Sequence, residues 1–166
     1  MRILFVCTGN TCRSAMAEGI ARRVVGERGL TDVVVESAGT GANPFPPGVP
    51  MPEFGASDGA ILVAMEHGLD LAEHRARPLS REMVDSADLI LAMGDRHLAR
   101  VHELGGASKA HLLTTFASHG ASRESIEDPF GGPLVGYRVT YEQLEREIRL
   151  AFDRLVPSGT RGGESA

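Results

Sequence analysis

The chain has 166 residues, 42% of them hydrophobic and 23% charged, with a formal net charge of −5. That length suits a single domain with a sizeable core, and the acidic balance argues against a nucleic-acid partner. No apolar run approaches the ~20 residues of a membrane span. Two cysteines are too few for a disulfide framework and fit a reducing compartment. Only Arg2 stands between the first methionine and an apolar strand, so the pattern of an export signal is missing. The expectation is a cytoplasmic protein with no nucleic-acid and no membrane partner.

Ile3-Leu4-Phe5-Val6 predicts a strand over residues 2–6, buried on both faces. Ala17, Ile20, Ala21, Val24 and Val25 recur at helical spacing and predict a helix over 14–28, with Ser14 as N-cap and Gly29 as stop. Val33-Val34-Val35 begins a β-branched strand over 33–38, which implies a right-handed parallel crossover. Residues 39–57 are irregular and carry five prolines. Their first residues should share a sheet edge with the loop after strand one, where Phe45 and Phe54 either wall a pocket or anchor the segment to the core.

A short helix is expected over 58–67, with Ile61, Leu62 and Met65 facing inward. A second, over 81–86, is capped by Ser80. Leu89 to Met93 reads as a third buried strand, Asp95 opens a helix to about Leu104, and 110–113 is a weak fourth strand. Thr140 with Gln143 has the form of a capping box, predicting a last helix over 141–156 with Leu144, Ile148 and Phe152 on one stripe. Four strands alternating with helices indicate a doubly wound α/β domain over 1–156 with a four-stranded parallel sheet, followed by a frayed polar tail at 157–166.

The chemistry concentrates in Cys7-Thr8-Gly9-Asn10-Thr11-Cys12-Arg13-Ser14. A strand end, a turn with Gly and Asn, and a helix start make a nest of backbone N–H groups with a positive helix end behind it. Such a nest takes an anion. A helix N-terminus and a guanidinium favour a thiolate at Cys7, Ser14 is placed to hydrogen-bond the sulfur, and Arg13 can grip two phosphoryl oxygens. Asn10 tolerates the left-handed conformation of a tight loop. The leaving-group acid must come from elsewhere, and Asp128, held by Pro129 in a Gly/Pro-defined turn, is the best candidate. A zinc site is not expected: the chain offers only Cys7 and Cys12, and His97 and His102 are five apart, which a helix does not place on one face.

The Cys7–Ser14 run resembles the low-molecular-weight protein tyrosine phosphatases, as do Ser37-Ala38-Gly39-Thr40 and Asp128-Pro129. His67 to Asp70, His74 to Arg77 and Ala87 to Met93 resemble the family's middle. The resemblance covers nearly the whole chain. It implies a four-stranded parallel sheet, no cofactor and no metal, with phosphorylated proteins as partners and inorganic phosphate as product. It also implies a phosphocysteine at Cys7, phosphoryl binding by Arg13 and the loop from Thr8 to Cys12, and acid then base work by Asp128. Cys12 resembles a second loop cysteine that pairs with the nucleophile under oxidation; its plainer role is packing beneath the loop.

In the family's tyrosine phosphatases a branched aliphatic residue stands where this chain has Thr11, and often a Tyr where it has Phe130. Thr11 with Asp128-Pro129-Phe130-Gly131-Gly132 resembles the bacterial protein-arginine phosphatases instead. A guanidinium needs acceptors around its N–H groups, which Thr11 Oγ1 and the Asp128 carboxylate can supply and a hydrocarbon cannot. Phosphoarginine is therefore the favoured substrate and phosphotyrosine the alternative. An arsenate reductase would need further cysteines after Cys12, a sulfurtransferase leaves Asp128 idle, and a phosphate-binding module needs no nucleophile, arginine and acid together.

Overall fold

The computed structural model describes residues 1–41 and 55–156. Phe45, Phe54, most of the Pro-rich segment and the tail at 157–166 lie outside the described residues. Four parallel strands form one sheet: β1 (Arg2–Cys7), β2 (Val34–Gly39), β3 (Leu89–Ala92) and β4 (Ala110–Leu112), in the order β2-β1-β3-β4. The helices are α1 (Arg13–Glu27), α2 (Asp58–Glu66), α3 (Arg81–Ser86), α4 (Asp95–Glu103), α5 (Leu113–Ala117) and α6 (Leu134–Leu155).

β1 lies at the centre because nothing in it objects to burial. Its side chains alternate between two cores, as a pleated strand must. Ile3, Phe5 and Cys7 face a large core with Met16, Ile20, Leu144, Ile148 and Phe152 from α1 and α6. Leu4 and Val6 face a smaller one with Ile90 of β3, Val84 of α3 and Val101 of α4. The chain leaves β1 toward β2 on one side and reaches β3 on the other. The topological switch point therefore falls at the end of β1, where open α/β sheets bind ligands.

Several sequence expectations need correction. β1 runs one residue further than predicted, so Cys7 itself pairs with Gly39. α1 starts at Arg13 without a side-chain cap, because the Ser14 hydroxyl is engaged by Cys7 and Asn10 instead. On α2 the inward residues are Ala60, Val63 and Ala64, while Leu62 and Met65 are exposed. α6 begins at Leu134, well before the predicted 141. The Thr140–Gln143 capping box does not exist: Thr140 is buried mid-helix and its hydroxyl donates to Glu127 O at 3.3 Å. α5 has no counterpart in the sequence pattern; Leu113 starts it where the fourth strand is predicted to continue. The Ser80 cap (accepting from Met83 N) and the Gly29 stop (φ 63°) stand as read. Among the described residues no helix is long and apolar enough to cross a membrane.

Small residues on α2 let it approach α6 closely. A Cβ on Gly59 would overlap the Tyr137 ring. Helix propensity alone favours Ala over Gly by about 1 kcal/mol, whereas overpacking costs about 1–3 kcal/mol. Gly59→Ala is therefore expected to lower the urea midpoint; a raised midpoint would show that the contact gives way freely.

Candidate active site

Residues 8–12 leave the C-terminal end of β1 and enter α1 under tight backbone control. Thr40 N donates to Cys7 O and Gly41 N to Thr8 O, each at 2.9 Å, so the chain beyond β2 runs beside the loop as expected. Ser57 N donates to Thr11 O at 2.9 Å from the other side. Both described ends of the Pro-rich segment thus flank the loop. The backbone N–H groups of Thr8, Gly9, Thr11 and Cys12 have no protein acceptor among the described residues. With the N-terminus of α1 behind them, these form a positive concavity suited to an oxyanion.

Asn10 locks this shape. Its φ of 58° lies in the left-handed region, which Asn enters more readily than most residues. It is fully buried. The Arg77 backbone N–H donates to Asn10 Oδ1 at 2.9 Å, which fixes which end of the amide is oxygen. Nδ2 then donates to Ser14 Oγ at 2.7 Å and to Ser37 Oγ at 2.9 Å. His74 Nε2 meets Asn10 O at 2.7 Å.

This arrangement gives the hydroxyls a direction. Ser37 donates to Glu18 Oε1 at 2.8 Å, and Glu18 is held by Arg22 at 3.2 Å. Ser14 Oγ accepts from Asn10, so its own hydrogen is left to point at Cys7 Sγ, 2.9 Å away. The Asn10 N–H donates to the same sulfur at 3.3 Å. Two donors thus converge on the buried sulfur and fix its orientation.

Arg13 and Asp128 come from opposite ends of the chain. Ile126 N donates to Met93 O at 2.8 Å, which fastens the 126–132 segment to the end of β3. Arg13 Nη1 donates to Ile126 O at 3.1 Å and Nη2 lies 3.4 Å from Asp128 Oδ2. Arg13 Nε, buried, has no partner among the described residues, and leaves one edge of the fork for a ligand. Phe130 N donates to Asp128 Oδ1 at 3.1 Å, and Gly132 N to Pro129 O at 3.0 Å across Gly131 at φ 79°. That positive φ is the glycine position of a type II turn. Pro129 and Gly131 thereby set where the carboxylate points.

A cavity of about 220 Å³ lies over the loop. Cys7, Thr8, Gly9, Thr11, Cys12 and Arg13 line it from below, and Asp128 and Phe130 from the side. Asn10 and Ser14 stand behind this surface, as supports. Phe130 is 70% exposed and forms the rim. Cys12 packs beneath the loop as a free thiol, its Sγ 3.1 Å from Ser57 Oγ and 3.5 Å from Tyr137 Oη. The set can bind a tetrahedral oxyanion, attack it with a sulfur and pass a proton through a carboxyl group. Among the described residues no group of three or more His, Cys, Asp or Glu side chains could hold a metal ion.

Sequence reasoning gave no role to Ser37, Glu18, His74 or Arg77. The available signals were a hydroxyl in an apolar strand and a carboxylate four residues after Ser14, on the same helix face. The sequence suggests for His97 only the zinc-ligand role excluded above. It is buried, and its Nε2 lies 2.8 Å from Thr8 Oγ1. Burial first, then the Arg13 and Arg96 guanidiniums, push His97 down to about 4, with Asp128 working the other way.

An unfolded histidine titrates near ~6.5. Between that pH and about 4 the unfolded chain binds a proton that folded His97 refuses, so His97 lowers stability as pH falls through this window. The slope is at most about 1.4 kcal/mol per pH unit. Denaturation at a series of pH values should show a shallower acid loss in His97→Gln than in the parent chain. Equal slopes would contradict a neutral His97.

The low molecular weight phosphotyrosine protein phosphatase family matches residues 2–158. A protein-arginine-phosphatase of Bacillus subtilis is 36% identical, over 90% of this chain and 93% of its own. The low molecular weight protein-tyrosine-phosphatase Wzb of Escherichia coli K12 is also 36% identical, over 89% of this chain and 90% of its own. A solved structure of a YwlE arginine phosphatase mutant with a phosphorylated active site serine aligns with a TM-score of 0.81 at 34% identity, covering 95% of this chain and 97% of that one. With a family match over almost its full length and relatives above 30% identity, the chain belongs to the low molecular weight phosphotyrosine protein phosphatase family and is a cysteine-dependent protein phosphatase.

Proposed function

We propose that the substrate is phosphoarginine in proteins, and that Cys7, Arg13 and Asp128 carry the reaction. The Cys7 thiolate, turned toward the loop by Ser14 and Asn10, attacks phosphorus. The bond from phosphorus to the guanidino nitrogen breaks, and protonated Asp128 donates its proton to the departing nitrogen. The phosphoryl oxygens rest on Arg13 and the N–H groups of the loop, where charge builds in the transition state. In the second half, Asp128 takes a proton from water as that water attacks phosphorus. The sulfur–phosphorus bond breaks, inorganic phosphate leaves, and the thiolate and the protonated acid are restored.

The observation that carries the substrate reading is the lining of the 220 Å³ cavity, where Thr11 and Asp128 both border the space above Cys7. A hydroxyl and a carboxylate there give a planar guanidinium two acceptors. Among the described residues Thr11 Oγ1 has one weak contact, 3.7 Å to Cys12 Sγ. Phosphotyrosine is the second reading, favoured by Phe130 on the rim, whose ring offers a face for a phenol. The relatives named above include both kinds of enzyme.

The test is turnover of phosphoarginine and phosphotyrosine peptides side by side, for the parent chain and Thr11→Ile. The expected result is a parent preference for phosphoarginine and a shift toward phosphotyrosine in the variant. Loss of one hydrogen bond to a charged group corresponds to about 10- to 100-fold in the preference. Faster phosphotyrosine turnover by the parent would overturn the phosphoarginine assignment.

A further inference from the structure

A second cavity, of about 370 Å³, opens beside the first and shares Thr8, Arg13 and Asp128 with it. Its remaining wall is the start of α4, from Gly94 to His97, together with Ser125. Gly94 caps α4 without any side-chain hydrogen bond, so the positive end of a nine-residue helix faces this space. His97 supplies a second, independent sign of a ligand. It is only 6% exposed, Thr8 occupies its Nε2, and its Nδ1 has no partner among the described residues.

The backbone clears the space in front of that nitrogen. Gly94 has φ −160°, an extended conformation open to any residue. A Cβ there would lie 3.4 Å from Ser125 Oγ and 3.5 Å from His97 Nδ1. Two polar atoms thus converge on a place that a side chain would fill. Two arginines, Arg13 and Arg96, and two aspartates, Asp95 and Asp128, border the cavity, and they differ in how they are paired. Asp128 is paired with Arg13 and Asp95 with Arg123, each at 3.4 Å. Arg96, exposed at the rim, makes no ion pair with a described residue. If Nε2 accepts the Thr8 hydroxyl proton, Nδ1–H becomes a donor into the cavity beside the Ser125 hydroxyl and the Arg96 guanidinium.

We propose that this cavity is an oxyanion subsite that takes the carboxylate of an acidic side chain flanking the phosphorylated residue of the substrate protein. The proposal rests on the phosphatase reading above and adds to it a feature of the substrate. Free inorganic phosphate offers the same oxyanion chemistry, and the experiment separates the two sources.

Steady-state kinetics would compare the parent chain, Arg96→Gln and Gly94→Ala on a small aryl phosphate and on phosphopeptide pairs carrying Glu or Gln on either side of the phosphorylated residue. The parent should prefer a Glu peptide by about fivefold in kcat/KM, expressed in KM, as for a partly exposed ion pair. Both substitutions should remove the preference, and Arg96→Gln should leave aryl phosphate turnover unchanged. Equal handling of Glu and Gln peptides by the parent overturns the proposal, as does a preference that survives both substitutions. It is also overturned if Arg96→Gln weakens inhibition by free phosphate without touching the peptide preference, since the cavity then takes the free ion. Failure of the parent to hydrolyse the aryl phosphate would instead sink the phosphatase reading and this proposal with it.

Discussion

The site depends on a single buried amide. Asn10 holds the loop in a left-handed turn that few other side chains enter, and its side chain joins the loop to the backbone of Arg77, to β2 through Ser37 and to α1 through Ser14. Each of these partners is polar and buried or half-buried, so losing the amide would strand several of them at about 1–3 kcal/mol apiece. The amide also has a sense of direction. Because one end must accept from Arg77 N, the other must donate to Ser14, and the Ser14 hydrogen can only go forward to the sulfur. A structural hydrogen bond is thereby converted into a chemical bias at Cys7.

The sheet supplies the other half of the constraint. β1 and β3 are neighbours, and the chain beyond each carries one part of the chemistry: the Cys7 loop after β1, the partners of the 126–132 segment after β3. Arg13 spans the two, touching Ile126 O and Asp128 while lying under the phosphate nest. The proposed nucleophile, Cys7, and the proposed acid, Asp128, come from positions more than a hundred residues apart. Their relative placement is set by sheet order and by this one guanidinium, which no flexible ammonium would fix in the same way.

Local patterns made much of this legible. Strand, loop and helix around Cys7 follow from four apolar residues, a Gly-Asn turn and a helical stripe, and the roles suggested for Cys7, Arg13 and Asp128 follow from residue chemistry. What escaped was whatever tertiary packing decides. Thr140 looked like a cap because Thr and Gln three apart are a local signal, but the helix was already under way, and the hydroxyl had a distant carbonyl to satisfy. Leu62 and Met65 looked like core by size, yet close packing of α2 on α6 selected Ala60, Val63 and Ala64. The hydrogen-bonded chain from Glu18 through Ser37 and Asn10 to Ser14 was invisible because its members are scattered across three elements.

In the proposed reaction Cys7, oriented by this chain of hydrogen bonds, takes the phosphoryl group covalently. An aryl phosphate with a good leaving group needs little protonation to depart, whereas hydrolysis of the intermediate still needs a base. Asp128→Asn should therefore load faster than it empties. Rapid quenching of that variant with such a substrate, followed by peptide mapping, should find the phosphoryl group on Cys7. Phosphate on another residue, or continued turnover with no covalent phosphate at all, would contradict the account.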